Sequence, residues 1–264
     1  MPRIVSESRV TSRVTALDIH APEIADGAEA GQVVLTRVDQ NSPWLPKPLS
    51  GVDREKGLIT FLSRDENRPK DTEIELSGPF GRLKIADRAG VGKVLFVAEG
   101  IGISAIAPLL QKTKENGSYT MIIAGFSSKN DVYWMKRLNE SSDELYVVTE
   151  DGSYGIKGPL RHTLRAVCEH AGDIERAHAA GSLKLLRTTA DVTRTFQIPT
   201  TVSLAAIFDD AVPPMTPNAA PERPAVGPSA PVDEAFDWTH ATDLDAHATD
   251  FDALARRLGI LVTR

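Results

Sequence analysis

The stretch Val94-Leu95-Phe96-Val97-Ala98-Glu99-Gly100-Ile101-Gly102-Ile103 carries the strongest chemical pattern in the 264 residues. Four consecutive apolar residues, Val94 to Val97, have the character of a buried parallel strand. A Gly-x-Gly turn follows, and from Ile103 an apolar run continues at helical spacing. Gly100 and Gly102 let the backbone turn sharply and approach a ligand closely. A helix opening there aims unpaired N–H groups at whatever lies above the turn, which favours a phosphate. The same glycines serve close strand–helix packing, so a nucleotide site and plain packing both stay open on this stretch.

Other chemically active residues are weaker signals. Glu150-Asp151-Gly152 either flanks a nucleotide or forms ordinary Asp-Gly turn chemistry. His162, His170 and His178 are spaced by eight without carboxylate or cysteine partners at ligand spacing, so solvated helix faces are expected rather than a metal centre. His240 and His247 lie in an acidic tail near Asp243 and Asp245, a weak metal pattern. Cys168, the one cysteine, excludes an internal disulfide framework and fits a buried structural thiol.

The elements that would position these residues fall into three parts. Residues 1–90 are expected to form a small β-barrel or sandwich. Arg9 to Ile19 alternates and is β-branched, Val33 to Val38 is a second strand, and Pro43, Pro46 and Pro48 hold an extended segment ending at Leu49-Ser50. A polar turn at 53–57 leads to Leu58–Leu62, and Glu73–Ser77 precedes a tight turn, Gly78-Pro79-Phe80-Gly81. Residues 91–208 alternate strand and helix, which predicts a parallel sheet covered on both faces. Strands are expected at 119–124, 144–149 and 200–204, a short apolar run at 177–180, and helices at 131–140, 159–171 and 183–195. Residues 209–264 form a third part: seven prolines between 212 and 231 read as an extended arm, followed by Phe236, Trp238 and an amphipathic helix at 250–258.

Composition narrows the function classes. The net charge of −6 comes without a basic patch, so no nucleic acid partner is expected. No apolar run is long enough to cross a bilayer, and the N-terminus lacks the apolar core of a signal peptide, so the expectation is a cytoplasmic protein without membrane association.

A β-barrel followed by a βαβ domain resembles the ferredoxin–NADP reductase superfamily. Gly78-Pro79-Phe80-Gly81 resembles the turn closing that family's flavin domain, and Gly100-Ile101-Gly102-Ile103 resembles its nicotinamide-nucleotide turn. Thr149-Glu150-Asp151-Gly152-Ser153-Tyr154-Gly155-Ile156-Lys157-Gly158 is the most specific match. It is similar to a loop in the electron-transfer subunit of dihydroorotate dehydrogenase and in the small subunit of NADH-dependent ferredoxin–NADP oxidoreductase. Thr201-Val202-Ser203-Leu204 resembles the strand those subunits carry before their iron–sulfur segment. The resemblance implies FAD between the two domains, NAD(P)H over Gly100 to Gly102, and hydride transfer from one to the other. It implies flavin contacts from Lys47, Pro48, Leu49 and Ser50, with Gly78 and Gly81 shaping the adjacent turn. It implies nucleotide contacts from Glu99, Gly100, Gly102, Ile103, Asp151 and Gly152. It also implies a partner, a larger flavoprotein or oxidoreductase subunit.

The sequence departs from that family at ligand positions. Pro46 stands where relatives carry the arginine that holds the flavin diphosphate, leaving Lys47 as a point charge without a guanidinium fork. Residues 64–72 are too short and too charged for the relatives' Gly-Thr helix; Arg64, Arg68 and Lys70 are substitutes to weigh against a plain surface loop. Glu99 replaces a glycine and would repel a pyrophosphate unless it meets ribose hydroxyls or a flavin edge. Ser127, with Lys129 nearby, replaces an arginine that greets the adenosine end. Residues 205–264 contain no cysteine, so the relatives' four-cysteine [2Fe–2S] segment has no counterpart there. Two functions fit this mixture. One is an electron-transfer subunit that binds FAD and NAD(P)H through altered contacts. The other is a cofactor-poor structural or assembly subunit.

Overall fold

The computed structural model describes residues 2–37, 44–64, 73–81, 92–204 and 244–253. The Pro-rich arm, Phe236, Trp238, His240, Arg68 and Lys70 lie outside the described residues. Among the described residues, no helix is long and apolar enough to cross a membrane.

The first part holds two antiparallel sheets. Its elements are β1 (Arg3–Arg9), β2 (Thr15–His20), α1 (Pro22–Gly27), β3 (Val33–Arg37), β4 (Leu45–Pro48), β5 (Gly51–Asp53), β6 (Leu58–Ser63) and β7 (Glu75–Phe80). One sheet runs β1-β2-β6-β5 and the other β4-β3-β7. Their inward faces share a core of Ile4, Leu17, Ile19, Val34, Leu49, Ile59 and Phe61, closed by Ala21 and Ala25 of the α1 corner. Alternation along β2 and β6 supplies that core, as a period of two requires.

Two expectations change here. The run from Arg9 to Ile19 is not one strand, because Val10 and Thr11 both donate backbone N–H groups to the Val14 carbonyl and turn the chain between β1 and β2. The β-branched pattern continues through that turn, so periodicity alone hides it. The last strand also runs on through Gly78-Pro79 to Phe80, which pairs with Val33.

The second part is a seven-stranded sheet. Its elements are β8 (Lys93–Glu99), α2 (Gly102–Glu115), β9 (Tyr119–Phe126), α3 (Met135–Glu140), β10 (Glu144–Thr149), β11 (Ile156–Lys157), α4 (Leu160–His170), β12 (Ile174–Ala180), α5 (Leu183–Thr195), β13 (Thr200–Ser203) and β14 (Leu244–Asp245). The order is β11-β10-β9-β8-β12-β13-β14, parallel throughout except for β14. Leu95 and Val97 of β8 face α4 and α5, while Val94, Phe96 and Ala98 face α2 and α3. That is why β8 reads as a continuous apolar run rather than an alternating one.

The barrel packs on the α2 side: Val14 and Leu62 belong to the same apolar cluster as Phe96, Ile101, Ile106 and Tyr133. The tail also returns to this body. Leu244 pairs with Val202 at the sheet edge, and Ala246 and Phe251 are buried with α5. The amphipathic pattern at 250–258 does pack inward at Phe251, the part of it that is described.

The expected helix at 131–140 is shortened. Residues Lys129–Asp131 form a single 3-10 turn, Val132 is extended, and α3 begins only at Met135. Trp134 sits at φ 55°, which breaks the helix. Tertiary contacts account for this. The Tyr133 hydroxyl donates to the Gly100 carbonyl at 2.7 Å, and its ring meets Phe126 and Trp134 edge-on. Arg137 lies 4.7 Å over the Trp134 ring and donates to the Ser50 carbonyl at 2.7 Å. Burial lowers the pKa of this guanidinium, yet it stays charged. The segment thus ties the barrel corner at Ser50 to the turn at Gly100. Arg137→Met is expected to lower unfolding free energy in urea by about 1.5–3 kcal/mol, the range for a charge-assisted bond. A loss below about 0.5 kcal/mol, the range of ordinary surface changes, would remove this tie from the account.

Candidate functional site

The sheet's connectivity creates the site. From β8 the chain goes to β9 and β10 on one side, then returns to β12 and β13 on the other. Such a reversal opens a crevice at the carboxyl ends of the two strands, here β8 and β12. A cavity of about 440 Å³ lies at that edge. Glu99 and Gly100 form its floor at the end of β8, with Gly125 to Ser127 from β9 and Glu150 after β10. The starts of α4 and α5 contribute Pro159 to Arg161 and Ser182, Lys184 and Leu185, and the barrel closes the far wall with Thr11, Arg13, Val14 and Arg64.

The local geometry separates the two glycines of the turn. Gly100 has φ 52°, and a side chain there would point at Arg64 Nη2, 3.3 Å away. It is the turn residue and faces the cavity. A Cβ on Gly102 would lie 2.2 Å from the Ala180 carbonyl oxygen and 2.7 Å from the Gly181 nitrogen. Gly102 is therefore demanded by packing of α2 on β12, and Ile103 beside it is fully buried. No side chain caps the start of α2 and no acid occupies its first turn.

Charges around the cavity are mixed. Arg13, Arg64, Arg161 and Lys184 supply four cations, and Glu99, Asp131 and Glu150 three carboxylates. Arg13 pairs with Asp131 at 3.8 Å. Ser182 Oγ donates to Glu99 Oε1 across the crevice and also accepts the Leu185 N–H at 3.2 Å, capping α5.

The other expected site residues lie elsewhere. Lys47 is 2% exposed within β4, and Pro48, Leu49 and Ser50 are buried beside it. Ser50 Oγ donates to the Thr60 carbonyl at 3.0 Å. Gly78 and Gly81 sit at the end of β7, where the Gly81 carbonyl accepts from Gln32 Nε2 at 3.0 Å. Asp151 and Gly152 are exposed on the loop after β10 and do not line the cavity. Asp151 Oδ1 accepts from both the backbone and hydroxyl of Ser153, and this holds its carboxyl below the ordinary value. That is the turn chemistry of an Asx motif. The loop is anchored to β9 through the Glu150 N–H on the Phe126 carbonyl, and Ser153 Oγ accepts the Lys129 N–H.

Arg13, Arg161, Ser182, Lys184 and Tyr133 escaped the sequence reading. Ser182 carried a usable signal, a serine directly after an apolar run and before a helix. The arginines carried none. His178 is corrected: it lies on β12, not on a helix, and is fully buried, with Nδ1 2.5 Å from Thr201 Oγ1. The sequence shows only the short apolar run at 177–180, because Ile174-Glu175-Arg176, the first half of β12, is mostly charged. His162 and His170 are exposed on α4 as expected. Cys168 is buried, and its thiol is pushed up to about 11 by that burial. No cluster of potential metal ligands occurs among the described residues.

No family model matches the chain. A dihydroorotate dehydrogenase B (NAD(+)) electron transfer subunit from Bacillus cereus strain Q1 is 29% identical over 197 residues, spanning 70% of this chain and 74% of that one. An uncharacterized protein of the adh 3′ region of Clostridium beijerinckii is 28% identical over 225 residues, spanning 80% and 76%. Among solved structures, an NADH-dependent reduced ferredoxin-NADP oxidoreductase superposes with a TM-score of 0.77 at 20% identity, over 98% of this chain and 93% of that one. A ferredoxin reductase of carbazole 1,9a-dioxygenase gives 0.64 at 17% identity, over 78% and 68%. The chain therefore has the ferredoxin–NADP reductase-like fold, and its sequence is similar to that of an electron transfer subunit.

Proposed function

We propose that this chain is the electron-transfer subunit of a larger flavoenzyme complex and passes electrons between NAD(P)H and FAD. The observation that carries this reading is the cavity at the switch point of the sheet, with one wall built by the barrel and the other by the strand ends. Two ligands that exchange a hydride need adjoining sites facing each other, and a cavity walled by both parts of the chain suits that requirement. The similarity to an electron transfer subunit supports the same reading.

The residues present fit a diphosphate by a different route from the one the relatives' motif implies. Lys47 is enclosed in the barrel wall, whereas the guanidinium groups of Arg13 and Arg64 border the cavity. Planar forks of this kind suit phosphate oxygens better than an ammonium does. In this reading Arg64 and Arg13 hold the flavin diphosphate, and the strand carrying Lys47, Pro48, Leu49 and Ser50 backs the flavin. Gly100, the start of α2, Arg161 and Lys184 hold the nucleotide. FAD, when bound, supplies the hydride-accepting ring and releases electrons singly. The chain positions the two ligands, and Tyr133 and Arg137 fix the turn against the barrel. In this reading a larger flavoprotein or oxidoreductase subunit receives the electrons, which the similarity to an electron transfer subunit supports.

Flavin fluorescence during titration of the chain with FAD, alone and with its co-purifying partner, tests the reading. Arg64→Ala is expected to weaken binding roughly 10- to 100-fold, the loss of one charge-assisted contact. No binding at high micromolar FAD in either state would favour the second reading, a structural or assembly subunit. Enclosure of Lys47 and the carboxylate at Glu99 are the features that favour that alternative.

A further inference from the structure

Glu99 is set into the crevice rather than projecting by chance. It is the last residue of β8, and its side chain runs between two glycines. A Cβ on Gly125 would lie 3.3 Å from Glu99 Cβ, and one on Gly181 would lie 2.9 Å from Glu99 Cγ. The ends of β9 and β12 thus leave a slot the width of this side chain. At the mouth of the slot its carboxylate accepts from Ser182, and both residues line the cavity. Of the cavity's cations, Arg13 and Arg64 extend from the barrel, Arg64 as far as Gly100, and Arg161 and Lys184 stand on the first turns of α4 and α5.

A carboxylate only accepts hydrogen bonds and offers about four acceptor sites, enough to serve a diol beside its protein partners. It repels a phosphate and attracts hydroxyl donors. We propose that Glu99 and Ser182 bind the vicinal diol of a ribose, so that the nucleotide lies with a sugar over the end of β8 and its phosphates displaced toward the cations. This rests on the nucleotide-binding reading above and adds which part of the ligand meets the switch point. The chemistry is that of a carboxylate on ribose hydroxyls in dinucleotide sites, transferred to the end of the first strand of the sheet. A phosphate ester on that diol would meet Glu99 directly and be excluded.

Calorimetric titration of the full-length chain with NADH, ADP, 2′-deoxy-ADP and nicotinamide mononucleotide tests this, using wild type, Glu99→Gly and the near-isosteric Glu99→Gln. Both variants are expected to weaken NADH about tenfold or more, the loss of one charge-assisted pair of hydroxyl contacts. Weakening shared by ADP, with the preference for ADP over 2′-deoxy-ADP abolished, assigns the adenosine ribose. Weakening shared by nicotinamide mononucleotide alone assigns the other ribose. Equal or tighter NADH binding by Glu99→Gly, in a variant with an unchanged melting curve, means that the carboxylate merely repels the dinucleotide and overturns the proposal while leaving the nucleotide site standing. Wild type that binds none of the four ligands, with or without FAD, overturns both.

Discussion

Gly102→Ala is expected to be among the most damaging small substitutions in the chain. The added methyl would sit 2.2 Å from the Ala180 oxygen and 2.5 Å from its carbonyl carbon. Ala180 cannot retreat, because it pairs with Ala98 on one side and Ser203 on the other. Overpacking against fixed backbone costs about 3 kcal/mol at the upper end of its usual range. A domain of this size loses about 2–4 °C of melting temperature per kcal/mol, so a fall of roughly 6–12 °C is expected. Gly100→Ala makes the control. Its strain is that of a non-glycine residue at positive φ, about 1–2 kcal/mol, and its nearest contact is the movable end of Arg64. Calorimetric melts of the two variants, run with nucleotide titrations, separate the roles of the glycines. If Gly102→Ala melts like wild type and loses only nucleotide affinity, Gly102 serves ligand approach and the packing account fails.

The second large effect is a loss of stability in mild acid through His178. The ring is fully buried between β8 and β13, edge-on to Phe96, and burial lowers its pKa from 6.5 to about 4. Among the described residues Nε2 has no hydrogen-bond partner, so nothing nearby stabilises a second proton. Above pH 6.5 the ring is neutral both folded and unfolded and imposes no penalty. As pH falls from 6.5 toward 4, the unfolded chain takes up a proton that the folded chain refuses, and the balance shifts toward unfolding. Below about 4 the penalty levels off. At about 1.4 kcal/mol per pH unit the full loss is roughly 3 kcal/mol. Urea unfolding from pH 7 to 4 should show wild type losing about that much more than His178→Gln, which has no proton to refuse. Parallel pH profiles for the two proteins would rule His178 out as the source.

Much of the fold was legible because its signals are local. Four apolar residues before a Gly-x-Gly turn marked β8 and the start of α2, and Pro159 before a helical run marked α4. Strand β10 was readable over its whole length, from Glu144 to Thr149. These stretches are consistent in propensity, pattern and turn chemistry, and tertiary contacts only reinforce them. The helix expected at 131–140 shows the opposite case. Its apolar spacing is correct for a helix, but Tyr133 and Trp134 spend their side chains on Gly100, Phe126 and Arg137 instead. Several packing contacts outweigh the few tenths of a kcal/mol by which helix propensities differ.

The candidate site divides along the same line. The sequence by itself determined the turn at Gly100, a carboxylate beside it at Glu99, a lone lysine between Pro46 and Pro48, and the absence of cysteines between 205 and 264, since each is a matter of residue type at a known position. Only the tertiary structure decided what faces the turn. Ser182 is 83 positions from Glu99, yet it donates to Glu99 because the crossover through α4 returns β12 to the side of β8. Arg13 and Arg64 reach the same cavity from the barrel because Val14 and Leu62 are buried against the α2 face. Lys47, the cation that a motif comparison selects, is 2% exposed in its own strand, a burial that its position between Pro46 and Pro48 does not announce. Residue identity sets what a side chain is able to do; strand order and apolar burial, both summed over the whole chain, set which side chains meet.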